Sequence, residues 1–183
     1  MQMPLFNNKY NKRREFFSAY YSLSMLTIRI ATIADAALIR RLIWELADFE
    51  KEPDQVFTTE ADIARDGFGA NPQFRALIAE WGGQPAGFAL FFSYYSTWRG
   101  AGFYLEDLFV RPDFRGRGIG TALLARVARS AEQENRIFIR WEVLNWNHSA
   151  IEMYRAVGAE FLDEWRSVFL TGDHLHKLAE KDS

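Results

Sequence analysis

Apolar positions recur along the chain with two alternating periods, and the clearest change between them lies in residues 104–131. Tyr104 to Val110 is mostly aromatic and aliphatic, is followed directly by Arg111-Pro112, and is typical of a buried strand. The apolar residues that follow have the spacing of an amphipathic helix: Ile119, Leu123, Leu124, Val127, Ala128 and Ala131. The pattern predicts a strand, a short turn and a helix in direct succession.

The same two periods predict the other elements. The predicted strands cover Thr27–Ala31, Phe74–Trp81, Pro85–Tyr95, Tyr104–Val110, Arg136–Leu144 and one or two pieces of Ala159–Leu170. The predicted helices end near Glu50, run from Thr59 to Gly69, begin near Ile119, and run from Ser149 to a closing Gly158. This order predicts an α/β domain with a mixed, mostly antiparallel central sheet and helices on both faces.

Residues 1–24 differ from the rest of the chain in composition. Four basic residues lie within residues 9–14, and the apolar run after them is too short for a secretory signal. An organelle-targeting segment and a flexible extension ahead of an alternative start at Met25 are both consistent with this composition. We expect the extension, followed by a single domain over residues 25–183.

Composition and charge limit the function. With 183 residues and 49% apolar residues, the chain can bury a sizeable core, and its formal net charge of −2 argues against a general nucleic-acid binder. The absence of cysteine excludes disulfides, thiolate zinc sites and cysteine nucleophiles. The three histidines, His148, His174 and His176, do not form a metal-ligand pattern, and we expect the last two to be solvated on the final strand or tail. We expect a cytoplasmic protein without a metal ion. We also expect no membrane helix, because no apolar run reaches ~18 residues.

The predicted turn is rich in glycine. Arg115, Gly116, Arg117, Gly118, Ile119 and Gly120 lie between the strand and the helix. A glycine-rich turn that opens a helix leaves backbone N–H groups unpaired, and the helix dipole and the two arginines favour an anion there. Side chains in place of the glycines would keep a phosphate away from the backbone. A purely structural turn is the alternative.

Spacing excludes two other phosphate loops. The Walker pattern requires Gly-Lys followed by Ser or Thr, and Gly120 is followed by Thr121 without a lysine. The dinucleotide pattern G-x-G-x-x-G would need a glycine where Thr121 stands. What remains is R-G-x-G-I-G, directly after a strand that carries Glu-Asp.

That motif resembles the pyrophosphate-binding motif of the GNAT superfamily of acetyl-CoA-dependent N-acetyltransferases. Within the superfamily, the resemblance is to the spermidine/spermine (diamine) N-acetyltransferases and covers residues 26–178. The matching segments are Asp66-Gly67-Phe68-Gly69, the strand YLEDLFV, Trp146-Asn147, and Tyr154 ahead of Gly158-Ala159. The resemblance implies direct acetyl transfer from acetyl-CoA to a primary amine of a polyamine, diamine or related amine in a ternary complex. An amino-acid or protein amine as acceptor, and a non-catalytic acyl-CoA-binding module, are the alternatives.

The resemblance also assigns residues to the cofactor. It places the pyrophosphate on the turn and the pantetheine arm on the backbone of the preceding strand, which splays from its neighbour. The residues assigned are Leu108, Phe109, Val110, Arg115, Gly116, Arg117, Gly118, Ile119, Gly120, Thr121, Asn147 and Tyr154. Asn147 binds the cofactor or only starts the helix, where Ser149 and Glu152 offer a competing capping box.

The reaction requires a free amine. An alkyl ammonium has a pKa of ~10.4, so only about one molecule in 2,500 is unprotonated at pH 7. Glu106 is the candidate base, and strict alternation would place it on one strand face with Tyr104 and Leu108, with Asp107 on the other as a structural residue. An ion pair between Glu106 and Arg140 is the alternative.

Tyr154 is the candidate acid. By the resemblance, Tyr154 protonates the departing thiolate of coenzyme A. The residues alone favour a core aromatic, because Ile151, Tyr154 and Val157 share one stripe of the predicted helix; the match to the family's tyrosine, seven residues after Asn147, reverses that interpretation.

Acidic and aromatic residues are the candidates for amine recognition. By the resemblance, the amine contacts Phe49, Glu50, Trp98, Glu106, Arg140, Trp141, Glu142 and Glu164. Two departures weaken the match for long polyamines, since Ser96-Thr97 replaces a more acidic neighbour of Trp98 and Phe49 replaces a tyrosine. Members of this branch pair through late strands, so we expect a homodimer through the apolar run of Trp165, Val168, Phe169 and Leu170.

Overall fold

The computed structural model describes residues 25–182, and the predicted extension lies outside them. In these residues the strands are β1 Leu26–Ile30, β2 Arg75–Trp81, β3 Gln84–Ser96, β4 Gly100–Val110 and β5 Ile139–Arg140. The α-helices are α1 Ala36–Phe49, α2 Glu60–Phe68, α3 Ile119–Gln133, α4 His148–Ala156 and α5 Gly172–Ala179. The described chain divides into two compact units, one ending at residue 142 and one beginning at residue 143.

The first unit contains the sheet, whose strands lie in the order β1-β2-β3-β4-β5. The three pairs from β1 to β4 are antiparallel, and β4 and β5 are parallel. The predicted mixed, mostly antiparallel sheet is therefore confirmed. Short turns, such as Gly82-Gly83, join β2 to β3 and β3 to β4, whereas α1 and α2 connect β1 to β2 and α3 connects β4 to β5.

Helices cover both faces of the sheet. One face packs against α1 and α2 in a cluster that includes Ile39, Leu42, Ile63, Ile78, Phe88, Leu90 and Phe109. On the other face, α3 contacts β1 to β4 and buries Ile119, Leu123 and Val127. Burying one such side chain contributes about 1.5–3 kcal/mol, so both helix layers stabilise the sheet.

The helix starts follow the predicted capping chemistry. Thr32 and Asp35 form a capping box ahead of α1, where Asp35 accepts from the Thr32 backbone N–H over 2.7 Å. Hydrogen bonds from Arg29 lower the pKa of the buried Asp35 carboxyl to about 2. Thr59 and Asp62 form the same box at α2. Short side chains that accept backbone N–H bonds therefore fix both starts.

The strand predicted over residues 136–144 is much shorter in the structure. Only Ile139 and Arg140 pair with β4, at Phe103 and Tyr104, and residues 141–147 are irregular. The alternating pattern predicted a strand wrongly there, because the backbone N–H and C=O groups of a strand also need a neighbouring strand as hydrogen-bond partner.

The second unit contains α4 and α5, and the strands predicted over residues 159–170 are absent from it. His174 and His176 lie in α5, not on a strand or tail. The apolar run before this helix is exposed, with Val168 at 90% and Phe169 at 88% exposure. A β-like composition predicted strands, but no described segment pairs with this run.

Candidate active site

The glycine-rich turn opens α3 as predicted. Gly118 is the N-cap with φ of 76°, and Gly116 has φ of 74°, a left-handed conformation that favours glycine. A Cβ atom built at either position meets no atom within 4 Å, so the space beside this backbone is open. The first helical bond runs from the Ala122 N–H to the Gly118 carbonyl over 3.0 Å, which leaves earlier N–H groups of the helix for an anion.

The two arginines of the turn lie on aromatic rings. The Arg115 guanidinium is 4.3 Å from the centroid of Phe49, and its Nε donates to the Val110 carbonyl over 2.9 Å. The Arg117 guanidinium is 5.2 Å from the centroid of Trp81. Both charges flank the open turn, but Arg115 is directed towards the end of α1.

Strand β4 is unpaired along part of one edge. Its partner β5 pairs only with Phe103 and Tyr104, so no strand among residues 25–182 pairs with that edge from residue 105 to residue 110. The segment includes Leu108, Phe109 and Val110, whose predicted backbone contacts to the pantetheine arm stay a prediction. An open strand edge that leads directly into an anion site suits an extended ligand with amide groups and a phosphate end.

A β-bulge interrupts β4 at Glu106. Asp107 lies opposite Leu90, and Leu105 lies opposite Phe91, so Glu106 is the extra residue between two consecutive pairs. The predicted strict alternation is therefore wrong. Because of the bulge, Asp107 shares the α1 face with Tyr104, whereas Leu105 and Leu108 lie on the α3 face.

Three carboxyl groups influence one another beside the bulge. Burial, and then the charge of Glu142, raises the pKa of Glu106, and burial raises the pKa of Glu50. Burial, followed by repulsion from Glu106 and Glu50, raises the pKa of Asp107 to about 7. Neither Glu106 nor Asp107 takes part in an ion pair of residues 25–182, so neither the proposed Glu106–Arg140 pair nor a structural pairing of Asp107 is seen. We call Glu50, Glu106 and Asp107 the acidic group.

Aromatic rings adjoin the acidic group. Tyr104 stacks on Phe92 with centroids 5.4 Å apart and lies 6.0 Å from Tyr94. Burial and the charges of Glu142 and Glu106 raise the pKa of Tyr104. Carboxylates beside aromatic faces are a suitable environment for an alkyl ammonium.

The other predicted residues of the first unit lie at several places. Phe49 is half-buried at the end of α1, Arg140 is half-buried in β5, and Trp141 and Glu142 follow it directly. Trp98 is 83% exposed in the turn between β3 and β4. The electrostatic links join Glu142 to Glu106 and Tyr104, whereas no described contact places Trp98 beside the acidic group.

Three predicted residues lie in the second unit. Asn147 is the N-cap of α4, and its side chain accepts from the Ala150 N–H over 3.3 Å, so the competing capping box of Ser149 is not formed. Tyr154 is 5% exposed on α4, and Glu164 is exposed. The roles of Tyr154 as an acid and of Glu164 as an amine contact stay predictions.

Sequence reasoning missed the contribution of α1 and the bulge. Arg111 donates to both carboxylate oxygens of Glu45 over 2.7 Å, which fastens the end of β4 to α1. No local pattern marks this pair, because its members are 66 residues apart. Within residues 25–182 no group of three or more acidic or histidine side chains could hold a metal ion, and no helix is long and apolar enough to span a membrane.

Curated relatives match most of the chain. It is 39% identical over 170 residues to the thialysine N-epsilon-acetyltransferase of Sus scrofa, which covers 87% of this chain and 100% of that protein. It is 30% identical over 198 residues to the L-ornithine N5-acetyltransferase NATA1 of Arabidopsis thaliana, covering 82% and 86% of the two chains. The human spermidine/spermine N(1)-acetyltransferase-like protein 1 is 38% identical over 145 residues, which are 75% of this chain and 21% of that one.

Solved structures show the same fold. An integron cassette protein of V. cholerae has a TM-score of 0.71 at 24% identity, covering 85% of this chain and 98% of that one. The aminoglycoside N-acetyltransferase AAC(6')-Iy in complex with CoA has a TM-score of 0.63 at 21% identity, covering 81% and 95%. Residues 38–159 match the acetyltransferase (GNAT) family. With this match over well over half of its length and with relatives named as N-acetyltransferases, the chain belongs to the GNAT family and is an acyltransferase.

Proposed function

We propose that this enzyme transfers the acetyl group of acetyl-CoA to a primary amine of a small polyamine, diamine or related amine, directly and within a ternary complex. The acidic group carries the proposal. Glu50 and Asp107 are half-buried, and burial together with repulsion from Glu106 and Glu50 raises the pKa of Asp107 to about 7. A bound ammonium would offset that repulsion, so the group favours a cationic acceptor over a neutral one.

The chain offers acetyl-CoA an extended site. The open N–H groups after Gly116 and Gly118 suit its pyrophosphate, with charge added by Arg115 and Arg117, and the unpaired edge of β4 suits its pantetheine arm. When bound, the thioester supplies an activated acetyl group. The remaining cofactor residues, from Ile119 to Thr121 together with Asn147, belong to the same proposal.

Glu106 is the proposed base. It accepts a proton from the ammonium, directly or through water, so that the free amine nitrogen can form the C–N bond as the C–S bond breaks. Freeing the amine at pH 7 costs about 4.6 kcal/mol for a pKa of ~10.4. The raised pKa of Glu106 makes it a stronger base than an ordinary carboxylate, which favours this role.

Tyr154 is the proposed acid, and it donates its hydroxyl proton to the departing sulfur. A tyrosine hydroxyl is a suitable proton donor at neutral pH. Its burial on α4 is compatible with a site shielded from water but is equally expected of a core aromatic. Phe49, Trp98, Arg140, Trp141, Glu142 and Glu164 complete the proposed acceptor contacts.

An amino-acid amine is the second candidate acceptor. Two relatives that match most of this chain carry the names thialysine N-epsilon-acetyltransferase and L-ornithine N5-acetyltransferase. A panel of putrescine, spermidine, spermine, thialysine, L-ornithine and L-lysine, assayed by coenzyme A release, tests the proposal. Preference for the diamines supports the first candidate, preference for thialysine or ornithine the second, and turnover of none would reject both. The cytoplasmic location stays a prediction.

Gly118→Glu should abolish acetyl-CoA binding. Residue 118 caps α3 beside open space, and a carboxylate there would fill and oppose the anion site while straining a left-handed backbone. Gly172→Glu is the matched control, since Gly172 also has a positive φ and no atom within 4 Å of its built Cβ. Calorimetry should show loss of binding only for the first variant. Unchanged affinity in a folded Gly118→Glu protein would refute the site.

Glu106→Gln should lower kcat/KM by about 10²- to 10⁴-fold near neutral pH, where free amine is scarce. The defect should shrink towards pH 10, because solvent then deprotonates the acceptor. Tyr154→Phe acts on the leaving sulfur, so its defect should not shrink in this way. The wild-type rate should rise and then fall with pH, and Glu106→Gln should lose the early rise. Parallel profiles for wild type and Glu106→Gln would assign the base elsewhere.

We also propose a homodimer that buries the exposed apolar run of the second unit. Trp165, Val168, Phe169 and Leu170 are all exposed in the single chain, and contiguous exposed apolar side chains commonly mark interfaces. Sedimentation at micromolar concentration should give twice the mass of 21.3 kDa. Val168→Asp combined with Phe169→Asp should give a monomer. A monomeric wild-type protein would contradict the proposal.

A further inference from the structure

The loop between β4 and α3 holds the same face of α1 with two arginines. Arg111 forms a bidentate pair with Glu45, and Arg115 stacks on Phe49 at 4.3 Å. Glu45 and Phe49 are four residues apart and therefore lie one helical turn apart on one face. The segment that leads into the cofactor turn is thus attached to the C-terminal half of α1.

Arg115 is restrained from several directions. Its Nε donates to the Val110 carbonyl over 2.9 Å, and its guanidinium lies 5.8 Å from the ring of Phe109 as well as against Phe49. Burial lowers the pKa of Arg115. A planar guanidinium stacks on a ring and donates in its own plane at the same time, which a lysine ammonium cannot do.

The residue after Phe49 belongs to the acidic group. Glu50 caps the C-terminus of α1, and its charge acts on Asp107 in β4. The Arg115–Phe49 contact therefore lies next to the residue whose position sets the charge around the acceptor. Displacement of the α1 end would move the Glu50 carboxyl relative to Asp107 without altering the open glycine turn.

We propose that Arg115 is a positioning residue for the amine acceptor: by stacking on Phe49 it fixes the end of α1 and holds Glu50 beside Asp107. This inference rests on the proposed function and adds to it. The charge of Arg115 still contributes to the positive potential at the turn. Its side chain, however, serves the acceptor more than the pyrophosphate, unlike that of Arg117 in the same turn.

The proposal predicts that substitutions of Arg115 affect the amine more than acetyl-CoA. Arg115→Ala should raise KM for the amine about 3- to 30-fold, as expected for loss of a stacked cation–ring contact, and change the Kd of acetyl-CoA less than about 3-fold. Arg115→Lys should resemble Arg115→Ala, because the charge remains but the stacking geometry is lost. Phe49→Leu should raise the amine KM similarly. The double variant Phe49→Leu with Arg115→Ala should add little further, since one contact is removed in both.

Two other arginines serve as comparisons. Arg117→Ala removes the other charge of the turn and should weaken acetyl-CoA binding more than it raises the amine KM. Arg129→Ala changes an exposed arginine of α3 that is distant in sequence from the turn, and it should leave both constants unchanged. Thermal unfolding of each variant separates these effects from a general loss of stability.

The measurements are amine KM at saturating acetyl-CoA and acetyl-CoA Kd by calorimetry. The inference fails if Arg115→Ala weakens acetyl-CoA binding more than it raises the amine KM, or if Arg115→Lys restores wild-type values. Failure of the proposed function is a different result, namely no turnover of any amine by the wild-type enzyme. In that case the amine Kd of the CoA-loaded protein, measured by calorimetry, replaces the amine KM. The inference is then tested by comparing the change in amine Kd with the change in acetyl-CoA Kd for each variant.

Discussion

One additional residue in β4 determines how the site is arranged. Without the bulge at Glu106, Tyr104 and Asp107 would lie on opposite faces of the sheet, because their positions differ by three, an odd number. The bulge gives Asp107 the position opposite Leu90 and leaves Tyr104 paired with Phe92 on the same face. Tyr104 and Asp107 thus share the α1 face on either side of Glu106. Bulges next to active sites commonly redirect a side chain in this way.

The position of β5 is the second constraint. Because β5 leaves β4 after Tyr104, one edge of the central strand is open from the bulge to the glycine turn. A fully paired β4 would have no backbone groups to offer an extended ligand. The proposed cofactor path and the carboxylates of the proposed acceptor site therefore meet on one short segment, with Glu106 at its start and Gly118 beyond its end.

Sequence alone predicted the elements whose causes are local. The turn and α3 were predicted correctly because glycine conformation, helix periodicity and capping act over a few residues. The start of α2 at Thr59 was predicted for the same reason. The strands predicted over residues 136–144, except for Ile139–Arg140, and over residues 159–170 were wrong, because a strand depends on a partner that a period-two pattern does not specify.

In the candidate site, too, some features have local causes and others depend on residues distant in the sequence. Glu106 was proposed from the sequence as the base, whereas its place in a bulge depends on the register with β3. Asp107 was interpreted as structural because alternation placed it away from Glu106. Burial raises its pKa most, and the charges of Glu106 and of Glu50, which is 57 residues earlier in the chain, add to the shift.

The attachment of α1 to the loop after β4 connects the proposed acetyl-CoA site with the proposed amine site. Glu50 influences Asp107 only while the end of α1 remains over β4, and Arg111 and Arg115 hold it there through Glu45 and Phe49. Arg111 lies just ahead of the glycine turn, and Arg115 is the first residue of the turn. The same short loop therefore shapes the proposed anion site and influences the charge around the proposed acceptor. The effect of a substitution in this loop should be measured separately for acetyl-CoA and for the amine.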